Sequence, residues 1–478
     1  MRYKFFSHLI PMIALNLLAK PLSIYAIDAE LQNRIGKEEY GIYFAILNFS
    51  YLFNILLDFG LTNFNTREVA GDPESRKRSF HQLFPIRIIL LLLYFGFTLG
   101  IAWMLGYDER QFHVLWILLF SQFFISTTFF IRSYFAGLLM FRTEILFSAL
   151  DKILLVLLAG YWLYFQNEIP ISVENLAWLN FGIYGLTSLL ALTFLLGKIG
   201  WPAFNWNFGS VKKILSRSIP FGVLIVFMML YNRLDSVMLE RLHEQGNEQA
   251  GTYAQSYRIL DGLFMFASMF STLLFPLFSR LLKNRESVVE LLDSSARVLL
   301  MGSMLAAAIG LFYGNPVLEL FYHEDIVGSL PTFQVLMLSF IPVSGIVLCG
   351  TLLTAHASLR YLIIVSLGGI VINAGLNFYL IPEYGAYGAA ISTLATQSLV
   401  VVLQLLKVWE IFRFQWNWWS FLRYLGLATL LFFSGKWMPD VGWVWYEVAL
   451  LVVLVVLYAL MTHMIQWKLF LKLLKAQK

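Results

Sequence analysis

About fourteen apolar runs, each near the length a helix needs to cross a hydrocarbon layer, constrain this chain more than any other feature. A crossing takes about 20 residues at a rise of about 1.5 Å each. The runs lie near residues 7–31, 40–65, 81–106, 111–139, 143–166, 174–197, 216–241, 249–282, 289–313, 329–356, 359–381, 385–409, 418–437 and 442–467. Only 13% of the 478 residues are charged and 59% are hydrophobic, whereas soluble domains carry about 25% charged residues. The expected class is therefore an all-α polytopic membrane protein. Arg2 and Lys4 precede the first run, but no small-residue cleavage site follows, so that run is read as a retained helix.

Basic residues alternate sharply between successive loops. One set, which includes Arg67, Arg76, Lys77, Arg78, Lys212, Lys213, Arg280, Lys283 and the tail lysines, holds about 21 Lys and Arg. The opposite set holds about 5, namely Arg34, Lys37, Arg110, Arg241 and Lys436. The positive-inside rule then places both termini in the cytoplasm, in agreement with an even number of spans. The single cysteine, Cys349, excludes an internal disulfide and a thiol metal cluster.

The chain also repeats itself. Gly36-Lys-Glu-Glu-Tyr-Gly41-Ile-Tyr43 matches Gly246-Asn-Glu-Gln-Ala-Gly251-Thr-Tyr253. Arg87 and Arg297 keep the same offset, and Pro11 and Pro220 nearly so. An even number of spans separates the copies, so they share one orientation and form a parallel repeat about an axis along the membrane normal. The expected organisation is two six-helix lobes, residues 1–205 and 206–415, followed by an additional helix pair with its tail, 416–478. The polar connection around Gly197–Arg217 separates the two lobes.

Charges inside the spans are the candidate functional groups, because lipid excludes them unless they face a protein interior or a watery cavity. Helical spacing sorts them onto faces. Span one carries Asn16, Lys20, Ser23, Glu30 and Arg34 in one stripe, and span two carries Tyr51, Asn54, Asp58, Thr62 and Asn65. Arg233 and Asp235 lie on span seven, Arg258 and Asp261 on span eight. Lys20, Arg87, Arg233, Arg258 and Arg297 are candidates for binding an anionic head group, since arginine forks onto phosphate oxygens and lysine acts as a point charge. Structural readings stand beside these. Arg258 and Asp261, three apart on a helix, neutralise each other in one of them. In others Lys20 pairs with Asp58, Arg87 and Arg297 snorkel to lipid head groups, and Asn373 and Asn377 hold helices together.

Enzyme signatures are missing: there is no Walker glycine loop, no HExxH, no GxSxG and no large exterior loop for a catalytic pair. A non-enzymatic membrane protein is expected, with no metal and no nucleic acid partner. Three stretches carry a family resemblance. They are Gly36–Tyr43 with Asp58-Phe-Gly60-Leu and Thr66-Arg-Glu68-Val-Ala70; Arg233-Leu-Asp235 through Arg258 to Phe275-Pro276-Leu-Phe-Ser279-Arg280-Leu; and Gly385-Ala-Tyr-Gly388-Ala-Ala. In these the chain resembles the polysaccharide or O-antigen lipid-carrier flippases of the multidrug/oligosaccharidyl-lipid/polysaccharide exporter superfamily.

The resemblance implies two lobes around a cationic cavity that opens alternately to either side. It implies translocation of undecaprenyl-pyrophosphate-linked oligosaccharide across the bacterial cytoplasmic (inner) membrane, for polysaccharide or lipopolysaccharide O-antigen synthesis. The implied partners are that lipid-linked substrate, membrane lipids and polysaccharide assembly proteins. No cofactor is implied. Some relatives couple to a proton or sodium gradient, which makes Asp58, Asp235 and Asp261 the ion-coupling candidates. The alternatives are a multidrug cation antiporter of the same superfamily, a lipid-linked peptidoglycan precursor flippase and, least well supported, a membrane glycan polymerase or ligase.

Overall fold

The computed structural model describes residues 22–62, 65–66, 69, 76–138, 140–166, 169–201, 233–323, 326–413, 418–437 and 443–464. Among the described residues every regular element is helical. A π-helical turn, Ser23–Asp28, runs into α1 (Ala29–Ile35). There follow α2 (Lys37–Leu52), α3 (Arg76–Met104), α4 (Glu109–Gly137), α5 (Phe141–Tyr164), α6 (Val173–Ile199) and α7, which includes residues 233–242. The remaining helices are α8 (Gly246–Lys283), α9 (Val289–Phe312), α10 (Gly314–Phe321), α11 (Ile326–Ala355), α12 (Leu359–Phe412), α13 (Trp418–Trp437) and α14 (Val444–Met461). Eight of the described helices are long and apolar enough to cross a membrane. The protein is a polytopic, all-α membrane protein.

Local chemistry sets where helices start and stop. Asp108 caps α4: its carboxylate accepts from the Gln111 amide at 2.7 Å, and the Gln111 side chain accepts in return from the Asp108 amide at 3.1 Å. This reciprocal box satisfies two of the donors that every helix N-terminus leaves open. Ser172 caps α6 through the Asn175 amide. Gly385, with φ of 52° and ψ of −130°, breaks the long apolar stretch of α12 into two helices, as the spans at 359–381 and 385–409 anticipate. Only glycine visits that region without strain.

The second apolar run departs from expectation. Read as one helix over 40–65, it stops at Leu52, tightens into a 3₁₀ turn at Asn54–Leu57 and breaks at Asp58. Phe59 and Gly60 then take φ of 43° and 81°. A broken helix in a membrane needs new partners for its freed backbone, and Asp58 supplies them. Its carboxylate accepts from the amides of Gly60 and Thr62 and from the Thr62 hydroxyl. An aspartate read as a point on a helical stripe is the group that rebuilds the helix start.

By backbone contacts the chain divides into two compact units, 1–251 and 252–478, with the boundary inside α8. In the first unit, α3, α4 and α6 enclose an apolar core that includes Leu61, Phe80, Leu83, Phe130, Tyr134 and Leu195. In the second, α11 packs against α9 and α12. The terminal pair α13 and α14 lies along α9, burying Leu427, Leu431, Leu451 and Val455 with Ala308 and Tyr313.

The first unit extends to residue 251 because the two copies of the repeated motif meet there. A Cβ built on Gly41 would lie 1.8 Å from the carbonyl oxygen of Asn247, and one on Gly251 would lie 2.0 Å from that of Lys37. Positions 37 and 247, like 41 and 251, are equivalent in the repeat. Each glycine therefore sits on the carbonyl one turn before the other, a reciprocal contact about a local pseudo-twofold axis. Gln32 adds a side-chain bond to the Gly251 carbonyl at 2.9 Å. Gly41→Ala should lower the thermal midpoint of the detergent-solubilised protein, at a cost of about 1–3 kcal/mol for overpacking. Gly96→Ala, where a Cβ meets nothing within 4 Å, should stay within about 0.5 kcal/mol.

Candidate functional site

Among the described residues in the spans of the first unit, two groups of charged side chains stand out. The first is closed on itself. Arg87 on α3 is 3% exposed. Its guanidinium donates to Asp58 Oδ1 at 3.3 Å and to Ser126 Oγ at 2.9 Å, and it lies 4.7 Å from the Phe130 ring centroid. With Asp58 already holding Gly60 and Thr62, one carboxylate ties α3 to the broken end of the second span. Ser126 and Phe130 extend the tie to α4. Two residues expected in separate roles, an anion binder and an ion-coupling acid, are here partners.

The second group is half-buried and gathers on Tyr51. Arg233 on α7 donates to Asn48 Oδ1 at 3.0 Å, and its guanidinium stands 5.4 Å from the centroid of the Tyr51 ring. Lys152, at the middle of α5, lies 3.2 Å from Asp151 Oδ2 and 3.5 Å from the Tyr184 hydroxyl on α6. Tyr51 is in turn an electrostatic neighbour of both Lys152 and Tyr184. Four helices thus bring two cations, one carboxylate and two phenols together. Such a set can hold a multiply charged anion: guanidinium for a forked contact, ammonium as a point charge, hydroxyls as donors.

The remaining sequence-derived candidates are placed as follows. Asp235 on α7 is buried at 3% exposure. Arg258 and Asp261 are half-buried, three residues apart on α8. Arg297 on α9 is 7% exposed and donates to Asp293 Oδ2 one turn away and to the His463 carbonyl at 3.3 Å. It thereby fastens α9 to the chain just beyond α14. The two arginines related by the repeat, Arg87 and Arg297, each turn to an aspartate of their own unit. Asn377 donates to Asn373 within the buried face of α12. Lys20 lies outside the described residues.

At the end of the first unit where the basic-poor loops converge, a further polar network forms. Arg110 grips Glu39 with two bonds of 2.9 and 2.6 Å and reaches Glu174 at 2.6 Å. Arg241 donates to the Leu105 carbonyl at 3.2 Å and lies over the Tyr107 ring.

Residues 14–282 match the family model described as polysaccharide biosynthesis protein. The chain belongs to that family. An uncharacterized membrane protein of Methanocaldococcus jannaschii is 24% identical to this polysaccharide biosynthesis family member over 412 residues, 83% of this chain and 96% of that one. Among solved structures, the lipid II flippase MurJ in an inward closed conformation aligns with a TM-score of 0.71 at 14% identity, covering 97% of this chain and 100% of that one. An inward-facing multidrug resistance MATE family transporter of the MOP superfamily aligns at 0.62 and 14% identity, over 85% and 95%. At such identities the likeness establishes the fold alone.

Sequence reasoning passed over Asp151, Lys152 and Tyr184 in this family member. The signal was present: Asp151 and Lys152 stand in mid-span, the same depth that drew attention to Lys20. Nothing local in the sequence pairs Glu240 or Arg241 with Gln111, which both reach in the fold.

The closed pair gives a sharp test. Asp58→Asn leaves the Arg87 charge buried without its counter-ion and should cost about 3–5 kcal/mol. The Asp58→Asn/Arg87→Met double variant should recover most of that loss in thermal unfolding. An unchanged single variant would show the pair is dispensable.

Proposed function

We propose that this family member is a flippase for undecaprenyl-pyrophosphate-linked oligosaccharide. In this reading it works by alternating access in the bacterial cytoplasmic membrane, with both termini in the cytoplasm. The observation that carries the reading is the pair of half-buried cations at Tyr51, Arg233 and Lys152, set at span depth in a polysaccharide biosynthesis protein. A charge at mid-membrane depth costs about 2.5–3.5 kcal/mol on insertion scales. Two cations converging on one tyrosine, with tyrosine hydroxyls beside them, favour an anion as their common ligand. A lipid pyrophosphate brings that charge to the same depth while its tail remains in the bilayer.

In this account Arg233 forks onto phosphate oxygens, Lys152 neutralises the second phosphate, and Tyr51 and Tyr184 donate to bridging or sugar oxygens. Arg258 and Lys20 remain candidates for the same ligand. Arg87 and Arg297 serve as internal ties, because each already holds an aspartate. The same engagement takes Asp58 out of the coupling role and leaves Asp235 and Asp261 for it. A cationic drug would meet repulsion at Tyr51, which disfavours the antiporter reading.

The reading is tested by leaflet transfer of a fluorescent undecaprenyl-pyrophosphate oligosaccharide in proteoliposomes. Removing one charge-assisted bond worth about 1.5–3 kcal/mol should slow transfer at limiting substrate about tenfold or more in Arg233→Ala and in Lys152→Ala. Each variant is first shown to insert and fold. Transfer at the wild-type rate in both would remove these residues from the pathway. No transfer by folded wild type, together with export of a cationic dye, would overturn the function.

A further inference from the structure

Glu240 stands at the last turn of α7, and its side chain is 2% exposed. Its Oε1 accepts from Gln111 Nε2 at 2.5 Å, while its Oε2 is buried without a hydrogen-bond partner. A full negative charge on that oxygen would be costly. Burying an ionised carboxylate away from donors costs far more than burying the neutral acid, which is why such groups take up a proton instead.

The groups around it are few and can be named. From α7 itself comes Arg241, whose Nη2 lies 3.6 Å from Oε1 and whose Nε is also without a partner. From the turn before α4 come Tyr107 and the Asp108 carboxylate, both electrostatic neighbours. From α4 comes Gln111. His243, on the next turn of chain, is engaged elsewhere: its Nδ1 accepts from the Gln245 amide. Arg241 favours the carboxylate, whereas burial and Asp108 oppose it. Arg241 is also drawn away, toward the Leu105 carbonyl, the Gln111 Oε1 and the Tyr107 ring.

Position gives this carboxyl its significance. Gln111 is the hub of the contact: the same side chain closes the Asp108 capping box, accepts from Arg241 and donates to Glu240. Glu240 therefore sits where α7 docks on the start of α4. Eleven residues further on, the chain reaches Gly251 and its backbone contact with Lys37. Residues 233–251 belong by the repeat to the second half of the sequence and are docked on helices of the first.

We propose that Glu240 is a proton-binding site, and that its protonation holds residues 233–251 docked on α2 and α4. When docked, the carboxyl is dry and neutral. When the segment lifts away, the carboxyl meets water, ionises and gives its proton to solvent at the turn where Gly106 and Asp108 are exposed. Docking thus takes up one proton, so acid favours the docked state and rising pH weakens it. The inference rests on the geometry of this contact and is independent of the substrate.

Two measurements on the whole protein in lipid nanodiscs test it. Infrared difference spectra should show the C=O stretch of a buried carboxylic acid in wild type at neutral pH, and Glu240→Gln should lack it. Hydrogen exchange of residues 233–251, normalised for intrinsic rates, should quicken by about tenfold per pH unit between about pH 5 and about pH 7 and level off above that, the slope that release of one proton gives. In Glu240→Gln, a neutral isostere that keeps the Gln111 contact, exchange should stay slow throughout. Asp108→Asn preserves a good helix cap and removes the opposing charge, so it should move the wild-type transition to lower pH. Loss of the infrared band with flat exchange in Glu240→Gln supports the site. A wild-type spectrum without the band overturns the proposal, as does a pH response of the segment that survives in Glu240→Gln.

Discussion

A hydrocarbon layer offers no water to a charge or to a freed backbone group, and the arrangement of this protein depends on that constraint. Where the second span breaks at Asp58, the carboxylate that should be most expensive there becomes the cap that makes the break tolerable. Having accepted three local donors, it also answers Arg87, which lies too deep to reach solvent. The same economy recurs in the second unit with Arg297, Asp293 and the His463 carbonyl. Charges inside the spans are thus of two kinds. Some complete the scaffold, whereas others gather in a half-buried group, as Arg233 and Lys152 do around Tyr51.

The repeat has a physical role as well as an ancestry. Gly41 and Gly251 lack side chains because each must let the other copy's carbonyl approach, and the reciprocal pattern exists only because the two motifs share a spacing. A backbone contact of this kind fixes the register of the two motifs, and the Gln32 side chain adds its bond to the Gly251 carbonyl beside it. The polar groups beside it, Arg110 with Glu39 and Glu174 and Gln111 with Glu240, supply the part that responds to charge.

Much of this was legible in the residues alone. Apolar length placed α3 to α6, α8, α9, α11 and both halves of α12 within a few residues, because the lipid requirement for length and backbone closure is strict. The glycine motif announced the repeat. What could not be read was partnership. A stripe on a helical wheel shows which way Asp58 points but not that Arg87, 29 residues later, arrives beside it. It also hides the break at Phe53–Gly60, since Phe59 carries no helix-breaking signal and Asp58 reads as one more polar point on the stripe until it caps the turn. Lys152 carries a signal of its own, a lysine beside Asp151 in the middle of an apolar run. Its meeting with Tyr184 and Tyr51 depends on the packing of three helices.

We propose that Arg233 and Lys152 form one anion site. The most direct measurement is native mass spectrometry of the purified protein titrated with undecaprenyl pyrophosphate, against undecaprenol as the uncharged control. Wild type should bind the pyrophosphate in preference. That preference should be largely lost in an Arg233→Gln/Lys152→Gln double variant, while undecaprenol binds both proteins alike. Equal retention of pyrophosphate by wild type and the double variant would contradict it.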